Sequence, residues 1–392
     1  MLDIPAIQKT LAVDGVDGWL LYDFHGSNPI AVKLAGLAGA HTTRRWYYFI
    51  PASGTPKKLV HAIEPFVLDA LPGTRTTYAG RLQLDQGVGN MLIGAKVLAM
   101  EYSPECAIPY ISRVDAGTVD FIRRLGMRVV SSGDLVGRFE AAWDEVAIAT
   151  HRAASERLYR IKDRAFEVAG ARLSADEPLH EFELQSMMVD WFREEGLVAD
   201  ARPIVAAQEH AGNPHYAPTP DASRQIRPDE VLLLDLWGKL EKPGAVYADI
   251  TWTGFAGDPP EAIARAFETI VKGRDAAIHA VKAGVAAGEP VCGYEVDRAC
   301  RDVIDAAGFG KQFIHRTGHS LGEEVHGNGV HMDDYETHDD RRLLPGTGFT
   351  IEPGIYTPEF GVRTEINMVV GLKGAEVSGP CQEQLVKILT KA

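Results

Sequence analysis

Cysteine is scarce in this sequence: Cys106, Cys292, Cys300 and Cys381 are the only four in 392 residues. No two form a CxxC pair, which argues against a thiolate zinc site. So few also argue against a disulfide framework and for a reducing, cytoplasmic setting. Long apolar runs are missing too. No stretch of about 18 apolar residues occurs, so no membrane span is expected. The start, "MLDIPAIQKTLAVDGVDGW", lacks a basic segment followed by an apolar run, and no signal peptide is expected. Positive charge is in deficit, with 40 Lys and Arg against 54 Asp and Glu and a net charge of -14. That balance disfavours nucleic acid and anionic membrane as partners, because both need a basic face.

What is present has the texture of a soluble globular chain, 45% apolar and 24% charged. The length suits two domains rather than one core. The first part, residues 1–143, sets short apolar runs among helical stretches. "GWLLYDF" (18–24), "RWYYFIPASG" (45–54), "KKLVHAI" (57–63) and "KVLAMEY" (96–102) read as buried strands. A helical period runs from Val114 to Leu125, and the whole reads as an α/β domain. A second domain, 144–392, opens with a long helix whose N-cap is Asp144. Helices are expected at 179–196, 259–284 and 295–308, and strands at 230–238, 245–255, 346–356 and 361–371.

Four of those strands carry acids among apolar neighbours: Asp235 in "VLLLDLW", Asp249 in "YADITWT", Glu352 in "FTIEP" and Glu365 in "VRTEINMVV". A buried carboxylate must be paired, protonated or bound to a cation. Each also has a bland reading. Asp235 reads as a turn cap, Asp249 as the solvent side of an edge strand, Glu352 as a strand end before Pro353, and Glu365 as a salt bridge to Arg363. Four acids together with the segment "HRTGHSLGEEVHG" (315–327) and its three histidines, His315, His319 and His326, point instead to a shared site for divalent cations. Oxygen ligands with one imidazole suit manganese, cobalt, iron or zinc. His331 and His338, further on, read as surface residues.

The ordered set "LLLDLWG", "YADITWT", "HRTGHSLGEEVHG", "FTIEPGIY" and "GVRTEI" resembles the pita-bread metallopeptidases, in the branch of prolidase (Xaa-Pro dipeptidase) and aminopeptidase P. The first domain resembles the creatinase-type N-terminal domain of that branch. The resemblance implies a fold class: an α/β N-terminal domain followed by an α+β pita-bread catalytic domain. It also implies metal ligation by Asp235, Asp249, His319, Glu352 and Glu365, with two divalent ions per subunit, manganese first. Glu352 is expected to shuttle protons, and His215 (in "GNPHYAPT") and His326 to contact the substrate or the tetrahedral intermediate. His315 and Arg363 are expected to bind substrate. Gly318 and Gly322 are expected where backbone passes close to the metals. The implied reaction is hydrolysis of an Xaa-Pro bond at the N-terminus of dipeptides or short peptides by a hydroxide bridging the metals. The implied assembly is a homodimer whose loops 23–29 and 41–46 cap the partner's site.

The chain departs from the family pattern near the site. Trp237 stands where a glycine is usual, Trp252 replaces an arginine, and an acid after Glu365 is missing. These changes bear on substrate choice rather than on the ligands. Two alternatives remain open: a metal-dependent hydrolase of a small non-peptide amide or cyclic amidine, and a non-catalytic pita-bread binding module.

Overall fold

The computed structural model describes residues 2–389, and the chain divides into two compact units, the first ending at Ala141 and the second beginning at Ala142. The first unit is built on one six-stranded mixed sheet. Its strands are β1 (Gly18–Asp23), β2 (Trp46–Pro51), β3 (Lys57–His61), β4 (Thr74–Tyr78), β5 (Val97–Met100) and β6 (Arg128–Ser131), in the order β4-β3-β2-β1-β5-β6. Five helices flank it: α1 (Ile4–Val13), α2 (Pro29–Leu34), α3 (Arg81–Met91), α4 (Ala116–Arg124) and α5 (Gly133–Phe139). One core joins α1, α2 and α5 to one face, and a second joins α3 and α4 to the other. The apolar runs become β1, β2, β3 and β5. Strand β4, "TRTTY", gives no apolar signal because it is an edge strand with four of its five residues exposed.

A buried carboxylate ties the 23–29 loop to this sheet. Glu101 accepts from Trp19 Nε1 (2.7 Å), Asn28 Nδ2 (2.8 Å) and Ser132 Oγ (3.0 Å). Asn28 in turn caps α2, and Asp23 accepts from the backbone N–H groups of Gly26 and Asn28. With its polar groups satisfied in this way, the loop is held in one shape.

The second unit opens with α6 (Glu145–Ser174), capped by Asp144 through the N–H of Ala147 at 2.8 Å, and continues with α7 (Glu181–Glu194). Strands β7 (Leu197–Val198), β8 (Ile204–Ala207), β9 (Val231–Leu240) and β10 (Ala248–Phe255) follow, then α8 (Glu261–Ala287) and α9 (Gly293–Ala306). The last strands are β11 (Gly348–Ile351), β12 (Gly354–Tyr356), β13 (Gly361–Arg363), β14 (Ile366–Val370), β15 (Ala375–Ser378) and β16 (Val386–Lys387). Among the described residues no helix is long and apolar enough to cross a membrane.

The antiparallel pair β9–β10 separates two apolar layers. Leu232, Leu234, Leu236 and Ile250 pack with α6 and α7, while Val231 and Leu233 pack with α8, α9 and β14. The two-residue period of a strand therefore sends Asp235 and Asp249 to the second face. Two expected strands are each broken. Glu352–Pro353 separates β11 from β12, and Thr364–Glu365 separates β13 from β14. The acids there sit in the interruptions rather than inside strands. Pro353 has no N–H to give a ladder, and the Glu352 and Glu365 amides bond instead to Thr317 O (2.7 Å) and Thr251 O (3.0 Å).

His151 fastens α6 to the sheet layer. Fully buried, it meets Tyr247 O at 2.8 Å through Nδ1 and Ser378 Oγ at 2.9 Å through Nε2. Burial holds its pKa down to about 4, so the native imidazole is neutral. Above about pH 6.5 the unfolded chain is neutral there too, and stability is fully present. Below it only the unfolded chain takes up the proton, so stability falls as pH drops toward 4, by up to about 3 kcal/mol. The urea midpoint of wild type should fall more steeply between pH 7 and 4.5 than that of His151→Gln. Parallel slopes would remove His151 from the account.

Candidate metal centre

Strand register sets the frame. Asp235 pairs with Thr251 and Trp237 with Asp249 across β9–β10, so the two aspartates are diagonal neighbours on one face. Both are buried, as are His319 and Glu365, while Glu352 is half-buried. Ligand atoms of Asp249, His319 and Glu365 lie within 4.8 Å of one another. His319 Nε2 is 3.5 Å from both Asp249 Oδ2 and Glu352 Oε1. Asp235 is turned to Arg363 Nη2, and its field reaches Asp249.

The electrostatics are those of a site built for cations. Desolvation first, then the neighbouring carboxylates, raise Asp249 and Glu365 well above the usual carboxylate range. Asp249 Oδ1 and Glu365 Oε1 are buried without a hydrogen-bond donor among the described residues. Such oxygens are costly unless a cation or proton meets them. His319 Nδ1 lies 3.2 Å from the Ser320 carbonyl. A carbonyl only accepts, so Nδ1 carries the proton and Nε2 presents its lone pair toward the acids, the tautomer a metal needs. Burial lowers the His319 pKa and keeps that lone pair free of a proton. The donor set and the two orphaned oxygens fit divalent cations.

Arg363 does not touch Glu365 directly. Its Nε donates to Thr251 Oγ1 (2.9 Å), and Thr251 donates to Glu365 Oε2 (2.7 Å). Its Nη1 donates to Tyr356 Oη at 3.2 Å. Tyr356 passes its own proton toward His315 Nε2 at 2.8 Å, since His315 Nδ1 is committed to the Arg316 carbonyl at 2.7 Å. Burial and the nearby arginines push His315 down to about 3, so it stays neutral. His315 therefore stands beside the centre with its ring nitrogens engaged inside the protein. The His326 ring packs edge-on to His319, centroids 4.4 Å apart. Desolvation, then the fields of His319, Arg316 and His215, hold His326 below its ordinary range. His215 is exposed on a loop anchored by Glu181, which accepts from Tyr216 Oη at 2.6 Å.

His331 is a correction: it is buried, and its Nδ1 accepts from the Ser320 N–H at 3.2 Å, supporting the His319 loop. His338 is exposed, as expected. Gly318 is required by sterics, since a Cβ there would lie 2.0 Å from the Thr350 carbonyl. Gly322 has no such neighbour, its nearest contact being 3.8 Å. The two tryptophans separate. Trp252 lies on the far face with Lys162 3.7 Å above its ring. Trp237 faces the centre beside Asp249 and donates to Asp200 Oδ1 at 2.7 Å. Sequence reasoning missed Thr251, Tyr356, Asn367 and Glu181. Thr251 and Tyr356 lie inside the quoted motifs, but a hydroxyl on a strand carries no distinctive spacing.

Comparison with known proteins identifies the class. Residues 150–371 match metallopeptidase family M24, and the chain belongs to that family. It is 27% identical over 341 residues to a probable dipeptidase PepE of Mycobacterium tuberculosis, covering 86% of this chain and 84% of that protein. It is 37% identical over 163 residues to an Xaa-Pro dipeptidase of Lactobacillus helveticus, covering 41% and 40%. The crystal structure of dipeptidase PepE from Mycobacterium ulcerans shares the fold, with a TM-score of 0.69 and 24% identity over 98% of this chain and 97% of that one. The pita-bread fold class and the metallopeptidase class both follow.

Titrating a divalent ion into chelator-treated protein should raise its thermal midpoint, by about 2.7 kcal/mol of stability at a hundredfold excess over Kd. Asp249→Asn and Glu365→Gln should each weaken that response. An unchanged midpoint in wild type would contradict the site.

Proposed function

We propose that this metallopeptidase is a dinuclear exopeptidase that splits the bond before proline in dipeptides or short peptides. The observation that carries the reading is the pair of donorless buried oxygens, Asp249 Oδ1 and Glu365 Oε1, set around the lone pair of His319. Asp235, Asp249, His319, Glu352 and Glu365 would hold two divalent ions, manganese first for an oxygen-rich set. Ions held there supply Lewis acidity toward a water and the scissile carbonyl.

The chain's own groups do the rest. Glu352 is the least buried of the acids and accepts only a long bond from Thr350 Oγ1, 3.2 Å. It is free to take a proton from the attacking water and deliver it to the leaving amine. His326, held neutral near pH 7 by desolvation, and His215 donate N–H groups to the carbonyl oxygen as negative charge develops. The chain Arg363–Tyr356–His315 fixes the wall beside them. Four free cysteines support a reducing, cytoplasmic setting. The rigid 23–29 loop supports a homodimer in which it caps the partner's site.

Trp237 favours a second reading. A large indole on the site face, where the family pattern has glycine, narrows the space for a proline ring and suits a broader dipeptidase. The relative named dipeptidase PepE supports the same direction.

The test strips the protein with chelator, restores manganese, cobalt or zinc singly, and assays Ala-Pro, Ala-Pro-Ala, Ala-Ala and Met-Ala-Ser. Metal-restored cleavage of Ala-Pro but not Ala-Ala supports the first reading. Equal cleavage of both supports the second, and Trp237→Gly should then shift preference toward Ala-Pro by roughly tenfold. His319→Ala should lose turnover while keeping its fold. Near-wild-type activity in that variant would overturn the site assignment.

A further inference from the structure

The first unit contains a cavity of about 810 Å³ that the peptidase reading does not use. It lies on the sheet face covered by α3 and α4, at the carboxyl ends of β1, β3 and β4. Crevices outside the carboxyl ends of strands are where α/β sheets bind small molecules, and this volume is in the usual ligand range.

Three features point to what it holds. The floor is aromatic: Tyr22, Tyr47 and Tyr78, with Tyr22 and Tyr47 ring centroids 4.9 Å apart. Tyr47 is 1% exposed, and its hydroxyl makes no hydrogen bond among the described residues. Tyr22 and Tyr78, by contrast, have partners in the Asp115–Thr118 cap and the Arg45 carbonyl. That hydroxyl opens onto the cavity, where a ligand or water can take it up.

The rim is cationic. Arg45, Arg81 and Arg124 line it, and none makes an ion pair among the described residues. Arg45 acts on all three tyrosines through its field, and Arg124 stacks 5.2 Å above Phe121. Asp115 also lines the cavity, but its carboxylate is committed to Thr118, at 2.8 Å to the N–H and 2.7 Å to the hydroxyl. Asp85 is the remaining acid of the lining, so positive charge prevails even in a chain of net charge -14. Finally, the 11-residue helix α3 starts at this opening from Gly80, which has no side chain to cap it, and its first turn holds no acid. Gln83 Oε1 accepts from the Ala79 and Gly80 N–H groups, and the N–H groups of the first turn add positive potential and donors.

We propose that this cavity binds a small ring-bearing anion, its planar ring over the tyrosines and its carboxylate or phosphate between the arginines and the start of α3. Tyr47 gives the ring substituent a hydrogen bond, and the guanidinium groups give bidentate contacts to the acid group.

Isothermal titration of the full chain tests this with phenyl phosphate, phenylacetate and adenosine monophosphate, against phenol, adenosine and inorganic phosphate as controls. The expected result is one site per chain that takes at least one ring-bearing anion more tightly than its neutral or ringless counterpart. Phosphate-bearing and carboxylate-bearing probes then separate the two headgroups. Arg81→Glu, an exposed position, should weaken binding roughly tenfold. Tyr47→Phe should weaken it roughly threefold with an unchanged thermal midpoint. His319→Ala should bind as wild type, which separates this cavity from the metal centre. Binding by no probe, equal binding of inorganic phosphate, or affinity unchanged in both Arg81→Glu and Tyr47→Phe would overturn the proposal.

Discussion

The structure of the second unit turns on one electrostatic constraint: several carboxylates share a buried space. Asp235, Asp249 and Glu365 are withdrawn from water, and desolvation together with the neighbouring carboxylates makes Asp249 and Glu365 harder to ionise. Hydrogen bonds offset part of that cost. Thr251 serves Glu365, Arg363 serves Asp235, and Asn367 brackets the Asp249 backbone with donor and acceptor. Two oxygens are left over, and divalent charge is the economical way to satisfy them. The strand breaks at Glu352–Pro353 and Thr364–Glu365 fall at the two acids themselves. The register on either side of the interruptions places Glu352 opposite Glu365, and the interruptions turn their amides to Thr317 O and Thr251 O instead of to each other.

Much of this was legible in the sequence because ionisable residues in apolar strands are conspicuous. The five ligand candidates stood out as an ordered set, and Asp144 as a helix cap. The long helices were readable from their period within a few residues. What escaped is what neighbours decide. Edge strand β4 shows no apolar pattern because it has little core to face. His331 looked like a surface residue because nothing in its local sequence reveals that Ser320 and the His319 loop close over it. Trp237 and Trp252 were indistinguishable until strand register put one beside Asp249 and the other against Lys162. Tyr356 and Thr251 matter through bonds to partners that are far away in the chain, and no motif spacing encodes those.

The two units divide the physical work differently. In the second, buried charge is concentrated and awaits cations. In the first, the buried acid Glu101, just after β5, is served by Trp19, Asn28 and Ser132 and rivets the 23–29 loop to the sheet. Unused polar capacity in that unit lies at the cavity floored by Tyr47 and at the buried Trp46 Nε1, which has no hydrogen-bond partner among the described residues. A third kind of feature stands beside the metal centre. Trp237 is a bulky neighbour held by Asp200, and it constrains shape while leaving the charge of the ligand set unchanged.

The account stands or falls on two cations sharing Asp249 and Glu365. Anomalous diffraction from manganese-soaked crystals measures this directly. The prediction is two peaks roughly 3.5–4 Å apart, both within bonding distance of Asp249 and Glu365, with His319 and Glu352 on one and Asp235 on the other, released from Arg363. No peak at full manganese occupancy of the solvent, or a single peak that leaves Asp249 or Glu365 unligated, would contradict it.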